Sequence, residues 1–205
     1  MIRIWGRKNS LNVQKVMWTV AELGLAHERL DVGGPFGGLD AAYREKNPNG
    51  LIPVIEDRGT VIWESNAIVR YLAARWGQGL LWDSDPARRA LADQWMDWQQ
   101  TIVQPSLSPL FLGLIRTPEA QRDQVALQAA AARLHEVLAL LDAHLRERTF
   151  IAGDELTMAD IPLGAAVNRY LHLPIERPAL PSLQAWHERL VARACFRSHV
   201  MIPLS

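Results

Sequence analysis

The sequence predicts an α/β layer sandwich followed by an all-helical bundle, and three observations carry that expectation. Up to about residue 76, short strand-like alternations trade places with apolar patterns of helical period. The segment 77–85 then breaks the pattern, and beyond Pro86 every apolar repeat has the helical period. The chain has 205 residues, 49% of them hydrophobic, enough to bury a sizeable core in one or two domains. The expected division is 1–78 for the α/β part, 79–85 for a linker and 86–205 for the helical part.

Taken in order, Ile2 and Ile4 alternate with polar neighbours as a first strand. Val13, Val16, Met17, Val20 and Leu23 repeat at helical spacing until Gly24 stops them. A second strand is expected over 29–32, followed by the glycine-rich loop 33–38 and a short helix over 41–45. That loop lacks both the Gly-Lys-Ser/Thr ending of a phosphate loop and the spacing of a dinucleotide fingerprint, so it reads as a surface loop near the ligand. Strands over 54–56 and 60–63 flank the turn at Asp57, Arg58 and Gly59, and a helix over 65–76 completes a βαβ-α-ββα layout.

In the second half, Ser84, Asp85 and Pro86 mark a helix start. A long helix carrying Leu91, Trp95, Trp98 and Ile102 is expected to be kinked or interrupted at Pro105 and Pro109. Thr117-Pro118 reads as the start of the next helix, whose stripe of Leu127, Leu134, Val137, Leu138, Leu141 and Leu145 suits bundle packing. In the segment 156–161, Thr157 at the cap and Asp160 three residues on form a capping box, with Leu156 and Ile161 as its hydrophobic staple. One or two helices over 181–200 turn Trp186, Leu190, Val191 and Phe196 inward.

Charge and composition remove several function classes. Lys plus Arg equals Asp plus Glu at 22 each and no basic stripe stands out, which argues against nucleic acid or an anionic membrane as partner. Apolar runs are broken well short of a membrane span. Arg3, Arg7 and Lys8 interrupt the first strand where a secretion leader would be apolar, so a cytoplasmic protein is expected. The single cysteine, Cys195, supports no internal disulfide, CxxC pair or zinc cluster and reads as a packed small residue. The six histidines show no tight metal-ligand spacing, so no metal is expected.

The most informative stretch runs from Asn49 to Leu72. Pro53 begins an apolar run without a donor of its own, leaving neighbouring backbone groups to find partners elsewhere. Glu64-Ser65 falls where a strand ends and a helix begins, so a carboxylate, a hydroxyl and free helix amides share one spot. A zwitterionic amino-acid head fits there, its carboxylate on Ser65 and its ammonium near Glu64. Proline as a strand boundary and serine as a helix cap are the alternative uses of the same residues.

These residues resemble the glutathione site of the cytosolic glutathione S-transferases, of the bacterial, serine/theta-like or nu-like kind. Their thioredoxin-like domain carries a cis-proline before its third strand and a Glu/Gln-Ser pair opening its third helix. The Thr157–Asp160 box is similar to the one opening the central helix of their second domain, so the likeness spans both halves. The resemblance implies a thioredoxin-like domain followed by a helical domain that shapes the electrophile pocket, with glutathione as co-substrate held at Leu51, Ile52, Pro53, Glu64 and Ser65. Many members place a lysine where this chain has Leu51. Lys46, Asn49 or Lys8 would then hold the glycyl end, or water would. The Ser-Ser-Cys signature of the isomerase subgroup is absent.

The resemblance points to the loop over 7–16 for catalysis. Ser10 stands before the first helix, where a hydroxyl can hydrogen-bond the glutathione sulfur and favour thiolate over thiol. Ser10-Leu11-Asn12 also resembles the Thr-x-Asn of nu-class members that bind glutathione disulfide and act as reductases, so Asn12 is the second candidate. Either residue can instead be only the helix cap. Leu11, Phe111, Leu112, Ile115 and Arg116 are expected to line the electrophile pocket, with Arg116 facing developing negative charge. The function expected is conjugation of the thiolate to a small hydrophobic electrophile by a homodimer; reduction of disulfides or peroxides at the same site, or a non-catalytic scaffold on this fold, are the alternatives.

Overall fold

In the computed structural model, which describes residues 1–204, a four-stranded sheet is layered with helices and followed by a helical bundle. Strands β1 (Ile2–Trp5), β2 (His27–Leu30), β3 (Val54–Asp57) and β4 (Thr60–Trp63) lie in the order β2-β1-β3-β4. β1 runs parallel to β2 and antiparallel to β3, with Ile4 opposite Arg29 on one side and Ile55 on the other. The parallel pair needs a crossover, which α1 (Leu11–Glu22) supplies, while β3 and β4 need only a tight turn. Helices α2 (Ala41–Lys46) and α3 (Ser65–Trp76) complete the expected layout.

The second strand sits two residues earlier than expected. β1 is four residues long, so its ladder with β2 is spent by Leu30, and Val32 is left with a single bond, its carbonyl accepting from Arg7 at 3.1 Å. β2 is an edge strand, partly exposed along its length, and therefore lacks a clean alternation to read.

α4 (Pro86–Trp98) starts as expected, with the Asp85 carboxylate accepting from the Ala87 amide at 2.8 Å and Pro86 in the first turn. Leu91 and Ile102 face outward, while Ala92, Met96, Gln99 and Val103 take the buried positions. Pro105 and Pro109 do not interrupt the helix. The chain passes from α4 through a π-helical turn (Gln99–Val103) into α5 (Gln104–Phe111) and a second π-helical turn (Leu112–Arg116). The π turn ahead of Pro105 makes room for its ring and missing donor, while Pro109 sits within α5 itself. Thr117-Pro118 opens only a short 3-10 turn. α6 (Gln124–Leu145) begins six residues beyond Pro118, where Asp123 accepts from the Ala126 amide at 3.0 Å; the hydroxyl of Thr117 is turned back onto the Leu112 carbonyl.

α7 (Asp160–Leu171), α8 (Pro181–Val191) and α9 (Ala194–His199) close the bundle. The capping box forms: the Thr157 amide and hydroxyl donate to Asp160 Oδ2 at 2.8 and 3.1 Å, and the Ala159 amide donates to Thr157 Oγ1 at 3.3 Å. Asp160 does more than cap, since its Oδ1 also accepts from the Ile151 amide at 3.0 Å and Trp186 Nε1 at 2.9 Å, tying α7 to α8 and to the preceding loop. Gly164 permits close packing, because a Cβ there would meet Leu190 Cδ1 at 2.7 Å and Trp18 Cζ3 at 2.9 Å.

One apolar core fills the sheet-facing side of α1 and α3, with Ile4, Val16, Ile55, Ile68 and Leu72 fully buried. A second runs unbroken from Leu11, Trp18 and Val69 into α5, α7 and α8. α1 is therefore clasped on two sides, and Trp18 meets Phe196 edge-on at 4.8 Å. Arg193 holds Glu22 through two bonds of 2.8 and 2.6 Å, and Arg70 pairs with Asp93 and Asp97 of α4.

Candidate active site

The site grows from three chain reversals at one end of the sheet. The first follows β1. Gly6 has φ +152°, and a Cβ there would stand 2.4 Å from Val13 Cγ2, so only glycine lets the loop press this closely on α1. The loop then delivers Ser10 to the cap position of α1, where its carbonyl accepts from Gln14 at 2.9 Å but its hydroxyl makes no capping bond. Asn12 lies in the first turn of the same helix, and both residues line a cleft of about 120 Å³.

The second reversal precedes β3. Ile52-Pro53 is cis, and the approach is pinned by the Leu51 carbonyl, which accepts from Tyr43 Oη and Asn47 Nδ2, each at 2.8 Å. The Ile52 backbone N–H and C=O find no partner among the described residues, as Pro53 leads one to expect. The third reversal joins β4 to α3. Glu64 takes φ +67°, a conformation that non-glycine residues adopt at a cost, and Ser65 is buried as the first residue of the helix.

A buried lysine missed by the sequence analysis sits against the third reversal. Lys15 is 2% exposed, and its Nζ donates to Ser65 Oγ at 3.4 Å, Asn66 Oδ1 at 3.2 Å and Gln99 Oε1 at 3.0 Å. Burial drags its pKa down to about 7; the Glu64 charge pulls it back up, and the Arg169 charge lowers it further. Lys15 thus lies within electrostatic reach of both the Glu64-Ser65 corner and the cleft beside Ser10. Its signal was hidden because α1 is buried from Val13 to Val20 on every face, which erases the amphipathic pattern that would make a buried lysine stand out.

Arg7, Leu11, Gln104, Phe111, Arg116 and Arg169 complete the cleft with Asn9, Ser10 and Asn12. Arg169 comes from α7, packs over the Phe111 ring at 4.2 Å from its centroid, and donates to the Asn9 carbonyl at 3.4 Å. Burial lowers its pKa to about 10, and the Arg116 and Arg7 charges push the same way. Arg7 is likewise lowered, by burial and then by Arg116. Arg169 and Gln104 carry no local signal: they join Ser10 only through packing between the two halves.

Of the pocket residues expected, Leu11, Phe111 and Arg116 meet here. Leu112 and Ile115 do not: Leu112 is 52% exposed, and Ile115 packs on the helical core. The π turn over these residues rotates them off the α-helical spacing from which their position was inferred. Lys46 rests on the Trp5 ring and pairs with Glu56 at 3.5 Å, and Asn49 donates to Asn47, so neither lines the cleft. Among the described residues no group of acidic, cysteine and histidine side chains is arranged to hold a metal. No helix is long and apolar enough to cross a membrane.

Comparison with known proteins gives one consistent answer. Residues 9–75 match the glutathione S-transferase N-terminal domain and residues 102–194 the C-terminal domain. The chain is 42% identical over its whole length to the whole of glutathione S-transferase GstB of Escherichia coli, and 32% identical to glutathione S-transferase 3 of Zea mays, with 99% and 95% of the two chains covered. The crystal structure of the theta class glutathione S-transferase from Xanthomonas axonopodis pv. citri with glutathione bound superposes with a TM-score of 0.96 at 47% identity, covering 100% of this chain and 99% of that one. Two domain families matched in chain order and a full-length relative of this similarity place the chain in the glutathione S-transferase family.

Proposed function

We propose that this glutathione transferase binds glutathione along the three reversals and attacks its electrophile with a thiolate held by Ser10. The γ-glutamyl carboxylate takes the Ser65 hydroxyl and the free amides opening α3, and its ammonium takes Glu64. The cysteinyl backbone pairs with the unspent groups of Ile52, as an added strand would. Leu51 brings no charge to the glycyl carboxylate, which is left to water, Asn49 or a lysine such as Lys8 or Lys46. The electrophile enters the cleft with its body on Leu11 and Phe111.

The observation that carries the reading is the Ser10 hydroxyl, which lines the cleft without a capping bond. Lowering a thiol pKa from about 8.5 to about 7 takes roughly 2 kcal/mol, within the range of one charge-assisted hydrogen bond. Asn12 lines the same cleft and supports a second reading, reduction of disulfides or peroxides by the same bound thiol. Assembly as a homodimer in the cytoplasm belongs to the proposal by family membership.

Calorimetric titration with reduced glutathione, beside Ser65→Ala and with glutathione disulfide as the second ligand, is the test. Binding of the reduced form that Ser65→Ala abolishes is expected. Preference for the disulfide moves the assignment to reductase, and binding of neither leaves a scaffold.

A further inference from the structure

We propose that Lys15 is a positioning residue for glutathione: from beneath the start of α3 its ammonium braces Ser65 and Asn66 and supplies the positive charge that the γ-glutamyl carboxylate meets there. The inference rests on the transferase reading above and adds to it a residue that acts through Ser65.

Each hydrogen of the ammonium has one acceptor, Ser65 Oγ at 3.4 Å, Asn66 Oδ1 at 3.2 Å and Gln99 Oε1 at 3.0 Å. Two of these residues open α3 and the third opens the π turn that follows α4. The acceptors are fixed in turn. Asn66 Nδ2 donates to the Met96 carbonyl at 2.9 Å, and Gln99 Nε2 donates at 3.2 Å to Oε1 of Gln104, a residue of the cleft beside Ser10. Lys15 therefore joins the Glu64-Ser65 corner to the helical half and, through two glutamines, to the cleft.

All three acceptors are neutral, so the bonds place the charge without cancelling it. If Lys15 served packing alone, an apolar chain of similar length would avoid the desolvation of a buried ammonium. The charged groups about it are few. Glu64 favours the ammonium and Arg169 of α7 opposes it. Elsewhere on α3, Arg70 pairs with Asp93 and Asp97, while Tyr71 and Arg75 meet Asp57. Asp160 lies at the opposite end of α7 from Arg169. On α9, Arg193 and Cys195 face Glu22 in the last turn of α1, Arg197 donates to the Val191 carbonyl, and His199 faces His27. A carboxylate arriving at Ser65 adds a second anion beside Glu64. It favours the charged lysine, whose pKa burial holds at about 7, so binding of the carboxylate and protonation of Lys15 reinforce each other. Affinity is then greatest below that pH and falls as pH climbs through it.

The test is calorimetry with two ligands: S-methylglutathione, which has no thiol to titrate, and its analogue with a carboxamide in place of the γ-glutamyl α-carboxylate. Lys15→Met is expected to raise the Kd of S-methylglutathione about ten- to hundredfold at about pH 6 while moving that of the carboxamide less than about threefold. Lys15→Arg, permanently charged, is expected to restore the affinity and hold it at about pH 8.5, where the parent has lost about tenfold. In the parent, binding of S-methylglutathione at about pH 7.5 is expected to take up about half a proton, read from the heats in buffers of different ionisation enthalpy. That measurement needs no variant and decides alone if Lys15→Met does not fold. An equal loss for both ligands in folded Lys15→Met overturns the proposal by making Lys15 a packing residue, and so does an absence of proton uptake by the parent. If the parent binds neither S-methylglutathione nor glutathione, the transferase reading falls with it; parent binding that ignores Lys15 overturns this inference and leaves that reading standing.

Discussion

Asp160 and Arg169 lie on the same helix, both buried, and the protein treats them in opposite ways. Asp160 accepts four hydrogen bonds, from the Ile151 and Thr157 amides, the Thr157 hydroxyl and the Trp186 indole. Arg169 keeps an unpartnered Nε and neighbours of like charge. A buried charge matched by the chain's own donors holds a fold together; one left unmatched beside a cleft is available to something that arrives later. The contrast separates the start of α7, tied into the fold by Asp160, from its later turns, where Arg169 faces the cleft.

The largest effect that tests the contrast comes from Asp160→Ala, which orphans the Trp186 indole and three other donors at the start of α7. A loss of about 3–5 kcal/mol in urea unfolding is expected. Asp160→Asn, which keeps acceptor capacity at one oxygen, should lose less; an alanine variant as stable as the parent would remove the scaffold half of the contrast.

Lys15 is the intermediate case, compensated by three neutral acceptors with Glu64 favouring and Arg169 opposing its charge. Its pKa falls from the ordinary 10.5 to about 7 in the fold, so between those values the unfolded chain binds more protons. Stability from this group therefore rises as pH climbs from about 7 towards 10.5 and is absent below that window, by an amount on the order of a few kcal/mol. Lys15→Met should erase that slope, measured as the difference between the two unfolding curves at each pH. A parallel pair of curves would mean that the ammonium stays charged throughout.

At the cleft, Ser10→Ala should lower kcat/KM about ten- to hundredfold, with the pKa of bound glutathione, followed by thiolate absorbance, returning towards the free value. Unchanged absorbance with Ser10→Ala and a loss with Asn12→Ala would move the sulfur contact two residues along, into the first turn of α1. Gly164→Ala, at the crossing of α7 with Trp18 and Leu190, should cost about 1–3 kcal/mol by overpacking. Arg169→Met is expected to cost less than about 1 kcal/mol, since it relieves an uncompensated charge while a chain of similar length still covers Phe111. A large loss there would make Arg169 a structural residue like Asp160.

What sequence alone revealed follows the same division. The Thr157–Asp160 box, the Ile52-Pro53 corner and the Glu64-Ser65 helix start were legible because each is written in adjacent residues whose geometry the local chain dictates. The two π turns escaped because prolines announce disruption without saying how the helix absorbs it, and with them went the placement of Leu112 and Ile115. Lys15 and Arg169 were illegible for a different reason. Asn9 and Arg169 are 160 residues apart and meet only because the bundle packs on α1, and a helix buried all round gives no phase by which to spot a misplaced charge.

The contact between Lys15 and Ser65 also settles a direction. A charged ammonium has three hydrogens and no lone pair, so at 3.4 Å it obliges the serine oxygen to accept and leaves the hydroxyl hydrogen to point elsewhere. In the proposed glutathione site that hydrogen is left for a carboxylate to accept. Once the lysine is neutral, its free lone pair lets the hydroxyl turn and donate inward instead. One proton below the surface thereby sets which way the Ser65 hydroxyl points.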